Sequence, residues 1–576
     1  MKRLYVCSTL FCLTVFAQPR SSPKLAPELA RINQNAAVDV IVKYKQAPTD
    51  FHRANAERLG AKFVRGLEVI NAHHYRMTAS QLADLADDPA VEFVHADNPI
   101  QAASSSVQPD YGWVGSLNLP SPYWNGAYDG TGMGVAVIDS GINGSADFNT
   151  LLLLSRVVYS QSFVPGDAST ADAYGHGTHV AGLIAGNGAN SNSIFSGYVV
   201  KGLAPNANLI NLRVLDKNGA TTDSTVIAAI QRAIALKSAY NIRVINLSLG
   251  KPVTTSYKND PLCQAVEAAW NAGIVVVVSA GNQGRYAATS GYGTIASPGN
   301  DPYVITVGAM NTNATLDRGD DKMASYSSKG PSPIDHIVKP DLVAPGNRIL
   351  SVMANNSTLV NQLPTAITPL LSFLLFPVDY FQLSGTSMAA PMVSGSAALL
   401  LQQNPFLTPD QVKAKLMLTA NKSIPAAVCP AGQSCPTQAY KMTVATDPLT
   451  GATYKTYYDM FTIGAGYLDT YRALNTPDVP AASLSAASPS AIYNAATGTA
   501  TIVNGSSVIW GTSVIWGTSV IWGTNVLSGN SVIWGTSVIW GTNTASANSV
   551  IWGTSVIWGT SAPGSEGYRL ALLGEQ

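Results

Sequence analysis

Met133-Gly134-Val135-Ala136-Val137-Ile138-Asp139-Ser140-Gly141, written MGVAVIDSG, is an unbroken apolar run that ends on a carboxylate and a glycine turn. A strand with no polar alternation is buried on both faces, the habit of parallel sheets covered by helices. Four more such runs follow: NANLINLRVL (206–215), IRVINLSLG (242–250), GIVVVVSAGN (273–282) and YVITVGAM (303–310). Between them, DSTVIAAIQRAIALKSAY (223–240) and PLCQAVEAAWNAG (261–273) read as helices, the second stopped by its glycine. Strand, helix, strand at this spacing predicts an α/β domain with a mainly parallel sheet flanked by helices. Its reactive groups belong beyond the carboxyl ends of the strands.

The residues at those ends are chemically suggestive. Asp139 is held at a strand exit, His176 opens the helix-forming run GHGTHVAGLIAG (175–186), and Asn282 closes the run VVVVSAGN. In LSGTSMAAP (383–391), Ser387 stands before a long helical pattern whose first turn is expected to carry Pro391 at low cost. A serine at a helix amino end lies beside free N–H groups and the positive end of the dipole. Its hydroxyl is inert at neutral pH until a base takes the proton. His176 is the natural base, Asp139 the carboxylate that fixes its tautomer, and the Asn282 amide a donor to an oxyanion together with the Ser387 N–H. The order Asp, His, Ser is one of the convergent orders for this chemistry, and no G-x-S-x-G elbow surrounds Ser387.

With VAVIDSG, GHGTHVAG, SAGN and GTSMAAPMVSG on the page, the chain resembles the subtilisin-like serine proteases, the subtilases, over residues 115–475. The resemblance implies a secreted serine endopeptidase that acts on protein or peptide substrates through an acyl-enzyme on Ser387. It implies that Ser248, Leu249 and Gly250, with Ser279, Ala280 and Gly281, pair with extended substrate and wall the first specificity pocket. Gly250 and Gly281 suggest that this pocket is open enough for large apolar side chains. The resemblance also implies an inhibitory α+β propeptide over 32–106, self-cleaved within DNPIQAASSSVQPDYG (97–112), and a peptidase domain over 110–475. No cofactor is required for the chemistry. Structural calcium is common in the family, although no hand-like loop spacing is present here.

Other readings compete with this one. His176 and His179, three apart, could share zinc, but no HExxH occurs and the only later histidine is His336. Ser384 is a weaker nucleophile candidate than Ser387, Asp172 and Asp341 read as structural carboxylates, and His179 as a buried structural histidine. A catalytically silent scaffold used for peptide binding or surface adhesion is the alternative function. The intact set Asp139, His176, Asn282 and Ser387 argues against it.

Beyond the catalytic pattern, MKRLYVCSTLFCLTVFA (1–17) reads as a secretory signal, with two basic residues, a short apolar run and a small residue at Ala17. Residues 32–97 alternate strand and helix in the manner of a split βαβ sandwich. Cys429 and Cys435 flank a short loop and are expected to pair in an exported chain, and Cys263 is expected to be buried. The segment 353–382 is long and apolar, readable as a lid, a substrate wall, an anchoring patch or a helix packed on the domain. Charged residues are 12% of the chain and balance to zero, which leaves no field favouring nucleic acid.

After a spacer at 476–500, residues 501–560 are read as an all-β hexapeptide repeat, followed by a tail at 561–576. From Ser507 to Thr560 run nine hexads, seven of them SVIWGT, with the deviants NVLSGN and NTASAN beginning 18 residues apart. An even period keeps side chains on constant faces of a strand, and the 18-residue offset suits a three-sided β-helix. The array is read as an element that binds a surface, a glycan or itself.

Overall fold

The computed structural model describes residues 22–26, 28–29, 32–102, 128–191, 199–371, 377–422, 441–446, 451–477, 479–483, 485–494 and 499–503. The expected signal at 1–17, the Cys429–Cys435 pair, nearly all of the hexad array and the tail lie outside them. Among the described residues, no helix is long and apolar enough to cross a membrane. The chain divides into two compact units, residues 1–97 and 98–576.

The first unit contains strands β1 (Ala37–Tyr44), β2 (Lys62–Leu67), β3 (Ala72–Thr78) and β4 (Val91–Ala96), with helices α1 (Asp50–Arg58) and α2 (Leu82–Ala86). The strand order is β2-β3-β1-β4, and every pairing is antiparallel. This is the split βαβ arrangement read from the sequence. Val40, Val42, Tyr44, Tyr75, Met77, Leu82, Leu85 and Val94 close its core. At about 1.5–3 kcal/mol for each large side chain fully buried, such a core offsets the chain entropy of a small unit.

The second unit is the α/β body. It begins with β5 (Pro99–Ala102), β6 (Gly134–Asp139) and β7 (Val157–Ser162), then α3 (His176–Ala185), β8 (Asn208–Arg213) and β9 (Ala220–Thr222). Next come α4 (Asp223–Tyr240), β10 (Ile242–Leu247), β11 (Leu249–Gly250), α5 (Pro261–Asn271), β12 (Val275–Ser279), β13 (Ile305–Asn311), β14 (Lys322–Met323) and β15 (Leu342–Pro345). An eight-stranded sheet runs β14-β13-β12-β10-β6-β8-β7, with β15 also on β13. Every pairing in it is parallel except that of β14. All residues of β6, β12 and β13 are buried, as their apolar runs demand.

The remainder holds β16 (Ile349–Val352), α6 (Thr358–Gln362), β17 (Ile367–Leu371), β18 (Pro377–Leu383), α7 (Thr386–Gln403), α8 (Pro409–Thr419), β19 (Met442–Thr446), β20 (Thr453–Tyr457), α9 (Thr470–Asn475), β21 (Ser490–Asn494) and β22 (Thr499–Val503). Segment 353–382 is mainly an antiparallel ribbon, β17 on β18 and β18 on β16, with one short helix. The Tyr380 hydroxyl anchors it by donating to Asp147 Oδ2 at 2.8 Å. Strand β18 leads straight into the Ser387 turn.

Two local expectations change. The stretch read as a spacer after 475 is docked on the domain: Ser488 N donates to Pro302 O at 2.9 Å and Val338 N to Pro489 O at 2.8 Å. Its proline- and serine-rich composition hid backbone bonds that need no side-chain pattern. Pro391 lies inside α7, beyond its first turn. It cannot supply the N–H that would bond the carbonyl of Ser387 four residues back. That carbonyl instead accepts the Ser248 hydroxyl at 2.9 Å.

Candidate active site

Parallel strands with right-handed returns place their carboxyl ends on one side of a sheet, and the order reverses around β6. Asp139 is the last residue of β6, and its neighbour β10 leads directly to Ser248. Asp139 Oδ1 accepts from Ser140 N at 2.7 Å and lies 2.7 Å from His176 Nδ1. Both side chains are fully buried. With Nδ1–H given to the carboxylate, Nε2 carries the lone pair. It is buried and meets no hydrogen-bond partner among the described residues.

The loop before α3 is locked by Asp172. Its Oδ1 accepts from Gly175 N at 2.6 Å and the Ser140 hydroxyl at 2.8 Å, while Oδ2 accepts from Thr178 N and its hydroxyl at 2.8 and 2.7 Å. Burial pushes this carboxyl up, and the four donated bonds oppose that push. The expected structural carboxylate thus fixes the first turn of α3, on which His176 sits. His179, one turn on, donates from Nε2 to Ile349 O at 3.0 Å, and burial with His176 nearby lowers its ring to about 3. It is the neutral structural histidine the sequence suggested.

Ser387 is the second residue of α7, so its N–H has no acceptor within the helix. Its hydroxyl donates to Ser248 O at 3.1 Å. A chain of bonds fixes this corner, from Ser394 Oγ to Asn246 Oδ1 at 2.8 Å and from Asn246 Nδ2 to Ser248 Oγ at 2.9 Å. Asn282 Oδ1 accepts from both Thr386 N and Thr386 Oγ1 at 2.9 Å. Its Nδ2 is left as a buried donor with no partner among the described residues. Thr386, which also accepts Gly281 N at 3.2 Å, orients that amide and was not singled out from sequence. Ser384 is engaged elsewhere, accepting Arg348 N at 2.8 Å.

The groove beside the serine is a three-stranded sheet in the order β11-β5-β9. Leu249 faces Ala102 and Gly250 faces Gln101 across one antiparallel ladder, and Pro99, Ile100 and Gln101 face Thr222, Thr221 and Ala220 across the other. The chain's own strand β5 thus pairs with 249–250 on one side and with β9 on the other. The backbone of 280–281 is used internally: Ala280 N donates to Val307 O, Ala280 O accepts Ala296 N, and Gly281 O accepts Ser328 N. Those backbone groups are taken up within the domain. The only sequence signal for β9 was a pair of threonines after an Asn-Gly turn.

A Cβ on Gly250 would fall 3.0 Å from the Ala296 methyl, and one on Gly281 would fall 3.2 Å from it and 2.9 Å from Ser328 Oγ. Gly281 also has φ +101°, where other residues are strained. Both glycines therefore face Ala296, which forms a floor between them and which no motif announced. Cys263 is buried, with its thiol 3.4 Å from Asn300 Oδ1, and burial pushes that thiol up.

A model of the subtilase family, peptidase S8, matches residues 130–443. Over 293 residues the chain is 41% identical to serine protease AprX of Bacillus subtilis (strain 168), covering 49% of this chain and 60% of AprX. It is 32% identical to subtilisin E of the same organism over 425 residues, covering 73% of this chain and 94% of subtilisin E. Among solved structures, that of fervidolysin from Fervidobacterium pennivorans, a keratinolytic enzyme related to subtilisin, aligns with a TM-score of 0.53 at 22% identity. The alignment covers 77% of this chain and 61% of that one, a likeness of fold.

Proposed function

Since this chain belongs to the subtilase family and is a serine protease, we propose that Asp139, His176 and Ser387 are its triad and that Asn282 Nδ2 and Ser387 N are its oxyanion donors. The observation that carries this reading is the His176 ring: Nδ1 is tied to Asp139 at 2.7 Å while Nε2 stays buried and unpartnered. In this reading the Ser387 hydroxyl leaves Ser248 O and turns to that nitrogen as substrate binds. Attack on a carbonyl carbon moves the serine proton to Nε2 and puts charge on the carbonyl oxygen, which the two N–H donors meet. Collapse expels the amine, which leaves with the proton from His176. Water, deprotonated by the same ring, then releases the acyl group and restores the hydroxyl.

The substrate is an extended peptide that fills the position of β5, with a side chain resting on Ala296 between Gly250 and Gly281. We propose that the first unit is an inhibitory propeptide and that β5, the opening strand of the second unit, stands where substrate lies. The Ser387 hydroxyl sits on Ser248 O, and Ser248 precedes Leu249, the partner of Ala102. The proposed self-cleavage follows β5 within the stretch 97–112.

In this proposal the chain's own side chains and N–H groups act on the peptide and on water. Among the described residues no three His, Cys, Asp or Glu side chains gather as a cation site, and no step is routed through calcium. We also propose that the chain is exported and that the hexad array has an accessory role in contact with a surface, a glycan or another copy. The test is Ser387→Ala in the full chain. It should abolish peptide hydrolysis and leave the chain at full length with unchanged circular dichroism, and turnover equal to the parent would overturn the triad.

A further inference from the structure

Lys251 follows Gly250 directly, yet its side chain turns into the protein and is almost fully buried. Its Nζ donates to Asp223 Oδ2 at 2.6 Å and to Asp260 Oδ1 at 3.2 Å, and both carboxylates are buried. Burial of the ammonium opposes its charge, but the two aspartates outweigh burial and raise its pKa. One cation therefore holds two anions at a place where the catalytic reading asks nothing of it.

Each partner leads to a different side of the groove. Asp223 is the residue after β9, and its N–H donates to Asn98 O at 3.0 Å, just ahead of β5. Asp260 caps α5 through Leu262 N at 2.9 Å, and its Oδ2 accepts the Ser297 hydroxyl at 2.8 Å. Ser297 follows the floor residue Ala296 and pairs with the Lys251 backbone in both directions, at 2.9 and 3.0 Å. The first strand (β11), the second strand (β9) and the floor thus converge on one ammonium.

We propose that Lys251 is a positioning residue for extended substrate: its ammonium sets the separation of β9 and β11, while Ala296 keeps its seat through the backbone pair of Ser297 with Lys251. The inference rests on the protease reading and adds to it a group that touches neither substrate nor triad. A strand inserted between β9 and β11 must satisfy both ladders at once, so a small change in their spacing misaligns it. A substrate that occupies only the first pocket bridges nothing and is indifferent to that spacing. Losing the cation leaves two buried carboxylates in mutual repulsion, which pushes their segments apart.

The experiment compares processed parent enzyme with Lys251→Met on two substrates, a peptide anilide with four acyl-side residues and an ester with one. Expected is a fall in kcat/KM of about 10- to 100-fold on the long substrate, carried mainly by KM, with the short ester nearly unchanged. An equal fall on both, or no fall on either, overturns the proposal. If Lys251→Met does not fold, Asp260→Asn, which keeps Lys251 paired with Asp223, should change the ratio in the same direction by less. An unchanged ratio there overturns it equally. Hydrolysis of the short ester by the parent tests the protease reading separately, since Lys251 does not enter that measurement.

Discussion

Asn282→Ala removes one N–H donor from the place where negative charge develops, and its cost can be worked from the geometry. Thr386 holds Oδ1 through two bonds of 2.9 Å, so Nδ2 arrives already aimed and no reorganisation is needed during reaction. One such donor contributes about 2.7–4 kcal/mol to the transition state, or about 10²–10³ in kcat. A neutral ground-state carbonyl gains little from it, so KM on the same peptide anilide should barely move. The alanine also strips Thr386 N and Oγ1 of their acceptor, which costs stability of about 1–3 kcal/mol. Turnover is therefore measured well below the unfolding midpoint of the variant. Asn282→Asp separates the two effects, since it keeps an acceptor for Thr386 but offers no donor. Stability should recover while kcat stays low. A loss under about tenfold in folded Asn282→Ala, a rise in KM with kcat intact, or recovered turnover in Asn282→Asp would each refute the assignment.

Three further outcomes are expected. Amino-terminal sequencing of the processed parent protein should begin between Ala103 and Gly112, and a start outside that stretch would show that self-cleavage does not follow β5. The depressed ring of His179 means that the unfolded chain binds a proton below about 6.5 that the folded chain refuses until about 3. Stability from this group is therefore present above 6.5 and lost as pH falls, by up to about 1.4 kcal/mol per pH unit. His179→Gln should flatten that part of a denaturation series, and an unchanged slope would place the acid sensitivity elsewhere. Deleting residues 501–576 should spare activity on a small peptide substrate, and collapse of activity would make the array part of the catalytic fold.

The parts legible in sequence were those that depend on local pattern. Apolar runs without alternation could only be strands covered on both faces, and helix α4 spans Asp223–Tyr240, the same bounds as its pattern. Asp139 and Asn282 could be singled out because each ends a buried run, and His176 and Ser387 because each stands at the start of a helical one. Thr386 as the clamp on Asn282, Ala296 as a floor and β9 as a groove strand were not visible, because each is defined by a partner distant in the chain. Ala296 lies 46 residues after Gly250 (296 − 250), yet it stands directly opposite that residue's missing side chain. Pro391 was misplaced for a related reason, since its cost depends on whether another group takes the carbonyl it leaves bare, and Ser248 does.

A groove that grips its occupant from both edges has a consequence for the targets. To lie between β9 and β11, a segment of at least the length of Pro99–Ala102 must first give up whatever backbone bonds it had at home. Compact proteins seldom release such a stretch except at frayed ends, mobile loops or during brief local opening. The pace of digestion is then governed by how often the prey unravels, and two proteins with the same cleavable sequence differ in lifetime by the difference in their opening equilibria.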